Sequence, residues 1–253
     1  MTAAIIIPAR YASTRLPGKP LLAETGRPLI AHVYERAAAA KDADRVIVAT
    51  DDERILKAVR DFGGEAVMTR ADHASGSERA AEAAADIDAD IIVNVQGDEP
   101  EIEPAAIDLL IDTQRRSGAF ASTLVCPFAE GLTEGPGSPT DPSCVKAVLS
   151  SEKDGLRHAL YFSRALAPYP RADGGAVRRA QDWRLHLGVY AFSRDSLMRF
   201  AAAPPGRLEQ VESLEQLRIL EMGERIAVAL VDKGAPGVDT PEDYAAFVKR
   251  ALG

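Results

Sequence analysis

The chain opens on Ala3-Ala4-Ile5-Ile6-Ile7, a short apolar run stopped by Pro8, and the same pattern returns at residues 45–49 and 90–95. Runs this brief and this continuous suit parallel strands buried on both faces. Between and after them, residues 29–40, 52–62, 76–86 and 104–115 carry helical spacing. Strands alternating with helices of this length fold as right-handed βαβ units. Up to about residue 117 the sequence therefore predicts a doubly wound α/β arrangement.

Beyond that point the rhythm changes. Residues 121–126, 145–149 and 185–192 predict strands without a regular helix between each pair. Residues 130–142, rich in Gly and Pro, and 167–181, rich in Pro, Gly and Arg, exceed ordinary connectors, which points to lids, subunit contacts or poorly ordered segments. A helix over 208–222, a strand over 226–231 and a last helix from Pro241 complete the reading, proline being suited to a first helical turn.

Composition removes several function classes. With 30 Lys and Arg against 38 Asp and Glu, the net charge of −8 argues against nucleic acid or anionic lipid as partner. Cys126 and Cys144 form no CxxC pair and have no histidine cluster, so neither a disulfide scaffold nor a zinc site is indicated. The apolar runs are far too short to span a membrane, and no charged leader precedes them, so a cytoplasmic chain is expected.

Ligands of open α/β sheets bind beyond the carboxyl ends of the strands. The first such loop holds Arg10, Arg15 and Lys19 before the first acid of the chain, Glu24. Two guanidinium forks and an ammonium suit a ligand with several phosphates, with Gly18 and the Ser13 and Thr14 backbone as further donors. Pro20 after Lys19 excludes a Walker loop, and a solvated basic loop is the alternative. Asp98, after Gly97 at the end of a strand, suits a hard cation such as magnesium, or else caps the helix after Pro104. Asp239 offers a second acid, or else serves a local turn or cap. Ser75, three residues before Glu78, has capping-box spacing at a helix N-terminus that could also hold an anion or a base edge. Asp51 reads as the cap of the helix beginning near Asp52.

In the strand 185–192, alternation sends Leu185, Leu187 and Val189 to one face and His186 and Tyr190 to the other. Gly188 leaves a dent there for a ligand, although a satisfied histidine at an interface fits the same pattern. In the helix over 208–222, Leu208, Val211, Leu214 and Leu217 predict the buried stripe. Glu209, Glu212, Glu215 and Gln216 fall on adjacent faces and, taken alone, read as solvated.

The runs IIIPARYASTRLPGKPL (5–21), VATDD (48–52), MTRADHASGSER (68–79), VNVQGDEP (93–100), HLGVY (186–190), LEQLR (214–218) and GVDTPEDY (237–244) together resemble the 3-deoxy-manno-octulosonate cytidylyltransferases, or CMP-Kdo synthetases. The resemblance implies a nucleotidyltransferase-type, Rossmann-like mixed sheet flanked by helices, with an inserted dimerisation and sugar-binding region. It implies a single domain over 1–253, with a nucleotide-binding half at 1–117 and a sugar-binding, dimerisation half at 118–253. The implied homodimer takes CTP and Kdo with Mg²⁺ and yields CMP-Kdo and pyrophosphate for lipopolysaccharide synthesis. By position, Arg10, Arg15 and Lys19 would grip the triphosphate, Arg70, Asp72 and Ser75 would adjoin the cytidine, and Arg79 and Gln96 would lie between the substrates. Asp98 and Asp239 would hold metal and complete the catalytic set with Arg10 and Lys19. Arg164, Arg171, His186, Tyr190, Glu215 and Gln216 would take the sugar acid.

Two features depart from the family pattern: Cys144 stands where Asn often precedes the Val-Lys pair, and the loop 130–142 is expanded. An 8-amino-Kdo enzyme is the nearest alternative. An inactive nucleotide-binding module would be expected to have lost Asp98, Asp239 or a loop cation, and all are present.

Overall fold

The structure, a computed structural model, describes residues 1–12 and 15–253. Ser13 and Thr14, expected to offer backbone donors, lie outside the described residues. In chain order the first elements are β1 (Ala3–Ala9), α1 (Leu29–Ala38), β2 (Arg45–Thr50), α2 (Glu53–Asp61), β3 (Glu65–Met68), α3 (Gly76–Ala84), β4 (Ile91–Asn94) and α4 (Pro104–Ser117). There follow β5 (Ala121–Pro127), β6 (Lys146–Leu149), β7 (Arg157–Ser163), β8 (Arg184–Ser193), α5 (Arg194–Ala202), α6 (Arg207–Glu212), α7 (Gln216–Glu221), β9 (Ile226–Leu230) and α8 (Pro241–Leu252). No helix among the described residues is long and apolar enough to cross a membrane.

The chain divides into two compact units. Unit 1 comprises Met1–Ile111, Ala191–Ala201 and Ala235–Gly253; unit 2 comprises Asp112–Tyr190 and Ala202–Gly234. Halves split at residue 117 differ from these units mainly because residues 191–201 and 235–253 return to unit 1.

Unit 1 orders its strands β3-β2-β1-β4, all parallel, with Ile5 opposite Val46 and Ala4 opposite Ile92. Ile5, Ile6 and Ile7 are wholly buried, each contributing roughly 1.5–3 kcal/mol of hydrophobic stabilisation. The strand does not stop at Pro8, as expected, but runs through it to Ala9, opposite Thr50. The Val95 amide donates to the Ile6 carbonyl at 3.1 Å, which shows that even-numbered residues of β1 face β4. Pro8 stands one pleat past that bond, where no donor is needed. A second cluster, Leu16, Leu29, Val238, Tyr244 and Phe247, packs α8 onto the start of α1.

Unit 2 runs β8-β5-β9-β7-β6, with β5 parallel to β9 and β7 antiparallel to β9 and β6. Lys146 of β6 also pairs with Leu185 of β8, so these strands close on themselves. The single helix expected over 208–222 is two short ones, broken at Ser213 in the left-handed region with φ 51°. The break defeats the expected apolar stripe: Leu214 and Leu217 are buried, but Val211 is 74% exposed. Both long loops are built around specific contacts. The Asp141 carboxylate accepts from the Gly137 and Ser143 amides, and Val177, Ala180 and Trp183 pack with Phe128.

Candidate active site

A cavity of about 310 Å³ lies in unit 1 beyond the carboxyl ends of β1 and β4. The basic loop supplies Arg10, Arg15 and Lys19 to its wall, and Gln96 and Asp98 enter after β4. Ser75 and Arg79 enter from the start of α3, and Asp239 from the turn before α8. Gly97 is required here by close approach: a Cβ on it would meet the Pro8 carbonyl oxygen at 2.9 Å.

At one end of the cavity the Lys19 ammonium donates to Asp98 Oδ2 and to the Val238 carbonyl, each at 2.8 Å, and lies 3.5 Å from Asp239 Oδ1. Arg15 Nη2 donates to the same Asp239 oxygen at 3.0 Å. The basic loop, isolated from acids in sequence, is thus largely balanced in the fold; only Arg10 has no side-chain partner among the described residues. The two aspartates converge because the Val238 amide donates to the Asp98 carbonyl at 2.9 Å, tying the turn before α8 to the loop after β4. Neither carboxylate serves as a cap. The α8 cap is Thr240, whose hydroxyl accepts from the Asp243 amide at 3.2 Å. Asp243 in turn accepts from the Asp239 and Thr240 amides, which leaves the Asp239 side chain free to face Lys19 and Arg15. Glu99 stands behind this group. Desolvation, with Asp98 and Asp239 beside it, pushes its carboxyl up to about 8 against the pull of Lys19.

Arg79 is buried, and its guanidinium is fully directed: Nη2 donates to Asp51 at 2.9 Å, and Nη1 to the Thr69 hydroxyl at 2.5 Å and the Arg70 carbonyl at 3.2 Å. Asp51 is not the expected cap. Asp52 caps α2, accepting from the Arg54 amide at 2.9 Å, and so frees Asp51 for Arg79. Two successive acids at a strand end were the available signal, since one helix start takes one cap. Ser75 does cap α3, accepting from the Glu78 amide at 3.2 Å, but Glu78 reaches the Ala74 amide instead of closing the box on Ser75. Gln96 crosses Gly76, where a Cβ would lie 3.2 Å from its Oε1. Arg70 and Asp72 do not line the cavity: both are exposed, and Arg70 pairs with Glu82 at 3.2 Å. His73, not singled out in the sequence, lines the cavity and is held by Glu82.

Unit 2 holds the remaining expected residues. His186 and Tyr190 do share a face of β8, their rings 5.4 Å apart, with Gly188 between them at φ 68°, a conformation that favours glycine. Burial pushes the His186 imidazole down to about 3. Burial, reinforced by the Glu215 charge, drives the Tyr190 phenol well above its ordinary value. Gln216 is buried beside Glu215 in the chain. Arg164 donates to the carbonyls of Glu212 at 2.7 Å, Pro142 at 3.1 Å and Ser213 at 3.3 Å, so it holds the break between α6 and α7. Arg171 is exposed in a short 3₁₀ turn, and its side chain has no partner among the described residues. Lys146, also missed, is fully buried, with its ammonium on the Asp141 and Arg164 carbonyls at 2.8 and 2.6 Å.

The family model described as cytidylyltransferase matches residues 4–226. The 3-deoxy-manno-octulosonate cytidylyltransferase of Syntrophobacter fumaroxidans is 52% identical over 247 residues, covering 96% of this chain and 94% of that protein. An 8-amino-3,8-dideoxy-manno-octulosonate cytidylyltransferase of Shewanella amazonensis is 45% identical over 248 residues, 96% of each chain. A solved CMP:2-keto-3-deoxy-manno-octonic acid synthetase complexed with CTP superposes with a TM-score of 0.88 at 42% identity, covering 100% of this chain and 99% of that one. On matches of this length and identity, the chain belongs to the cytidylyltransferase family and groups with its 3-deoxy-manno-octulosonate members.

Proposed function

We propose that this nucleotidyltransferase moves CMP from CTP to the anomeric hydroxyl of Kdo, giving CMP-Kdo and pyrophosphate. The observation that carries the reading is the Lys19 ammonium held between Asp98 and Asp239 in a cavity that also presents Arg10 and Arg15. Such a site gathers a polyanion while keeping two hard oxygen donors at its edge.

The residues fit a magnesium ion. Asp98 and Asp239 already enclose one cation, the ammonium, and magnesium characteristically takes one or two carboxylates and completes its shell with water and phosphate oxygens. Among the described residues no group of three or more His, Cys, Asp or Glu forms a self-sufficient cage, which agrees with a site completed by substrate. Bound there, magnesium would supply charge neutralisation at the phosphates and a lowered pKa for the attacking hydroxyl.

Lys19 and Arg15 are exchangeable: an arriving triphosphate competes with Asp98 and Asp239 for them, while Arg10 has no side-chain partner among the described residues to give up. Arg79, locked by Asp51 and Thr69, presents a fixed charge to the cavity. The hydroxyl oxygen bonds to the α-phosphorus as the bond from that phosphorus to the bridging oxygen breaks, the proton is lost to solvent, and pyrophosphate leaves. Positioning and charge then account for the catalysis, and no side-chain nucleophile is needed. On the sugar side, Arg171 is the arginine with donors to spare for the carboxylate, whereas Arg164 acts through the α6–α7 break it supports.

The 45% identical relative of Shewanella favours a second acceptor, 8-amino-Kdo. Pyrophosphate release from CTP and Mg²⁺ with Kdo, 8-amino-Kdo or sialic acid decides between them. Turnover with Kdo above both others is expected; none with Kdo overturns the reading. The family likeness extends the proposal to a cytoplasmic homodimer, checked by light scattering on the eluting protein.

A further inference from the structure

Thr123, in β5, is fully buried, and its hydroxyl lies between two atoms of β8. It is 2.7 Å from the Val189 carbonyl oxygen and 2.9 Å from His186 Nε2. A hydroxyl has one proton to give and a carbonyl can only accept, so that proton goes to Val189. The Thr123 oxygen then faces His186 with a lone pair, and Nε2 must carry the hydrogen. The ring is kept neutral by burial, which leaves Nδ1 as a bare acceptor. Nδ1 makes no hydrogen bond among the described residues. The edge of Phe162, with ring centres 4.8 Å apart, and the Tyr190 ring on β8 limit rotation of the imidazole.

We infer that Thr123 is a positioning residue that fixes His186 as the Nε2–H tautomer, so that His186 meets the sugar through Nδ1 and reads a hydroxyl, not the carboxylate. The inference rests on the proposed sugar-binding role of His186. A carboxylate oxygen at Nδ1 would set lone pair against lone pair, whereas a sugar hydroxyl brings the proton the site lacks. The sugar is thereby oriented at two points of opposite demand: an acceptor at His186 and a donor at Arg171.

The tautomer is read directly by ring ¹⁵N NMR of the full-length protein labelled at its four histidines, with His186→Gln assigning the resonance. At pH 7 and without substrate, a neutral ring with protonated Nε2 is expected; an Nδ1–H ring or a cation overturns the tautomer. On saturation with Kdo, the Nδ1 resonance should shift as it accepts a hydrogen bond. An unmoved Nδ1 with the Nε2–H tautomer intact instead overturns the hydroxyl contact, and the substrate-free result keeps that failure separate from any failure of the Kdo reading. In kinetics, Thr123→Val should raise KM for Kdo about 10-fold, the worth of one hydrogen bond, with kcat and KM for CTP within about 3-fold. Thr123→Ser should restore KM. A wild-type KM in the valine variant, or no rescue by serine, contradicts the positioning role.

Discussion

The cavity of unit 1 and the His186 face of unit 2 follow opposite electrostatic plans. In the cavity, cations are set against carboxylates: Lys19 on Asp98 and Asp239, Arg15 on Asp239, Arg79 on Asp51. His186 and Tyr190 are instead held neutral, the imidazole pushed down to about 3 and the phenol driven up by burial and the Glu215 charge. The difference matches the ligands proposed. A triphosphate is gripped by charges that can change partner, whereas a sugar's hydroxyls are told apart by donors and acceptors that cannot.

The largest effect should come from the charged region. Asp98→Asn removes a carboxylate from the Lys19 cluster and should lower kcat by about 10³-fold while the protein stays folded. Near-normal turnover would remove Asp98 from the metal reading. Next is Asp51→Ala, which leaves the buried Arg79 charge without its acid and should cost about 3–5 kcal/mol in urea unfolding. A loss under about 1 kcal/mol would mean that Thr69 and Arg70 hold Arg79 unaided.

The neutral region should respond in binding rather than rate. His186→Ala with Tyr190→Phe should raise KM for Kdo by about 10- to 100-fold and leave KM for CTP near wild type, given one or two hydrogen bonds lost. An unchanged KM for Kdo contradicts the sugar assignment. The last effect is on pH dependence. Because folding depresses the His186 pKa from 6.5 to about 3, the unfolded chain binds the extra proton first as the pH falls. Its contribution is therefore complete above pH 6.5, declines towards pH 3 and is flat below. Urea midpoints of wild type and His186→Gln should converge across that window, and parallel curves would show that the ring is not held neutral.

Local pattern made much of unit 1 legible. The apolar runs of β1, β2 and β4 and the spacing of α1 to α4 needed no knowledge of the rest of the chain. β3 escaped because Glu-Ala-Val-Met buries only Ala66 and so has no continuous apolar run, and β7 because Arg-His-Ala-Leu-Tyr-Phe-Ser shows no clean alternation; Leu160 faces solvent at 60% exposure. The α6–α7 break was illegible for a different reason: it is supported by Arg164, from a distant part of the chain. The site divides in the same way. Arg10, Arg15 and Lys19 stand out locally, but that Asp98 and Asp239 meet at Lys19 is a tertiary fact, expected only from the family resemblance. Asp51 could be told from a cap only through the acid that follows it, and Thr123 carried no signal that separates it from a core threonine.

The role of the Lys19 cluster is tested most directly by CTP affinity, measured calorimetrically with and without Mg²⁺ in the wild type and in Asp98→Asn/Asp239→Asn. The wild type should bind CTP at least about 10-fold tighter with Mg²⁺, and the double variant, its ammonium released to the phosphates, should bind CTP equally well in both conditions. An equal gain from Mg²⁺ in both proteins would contradict the assignment of these aspartates.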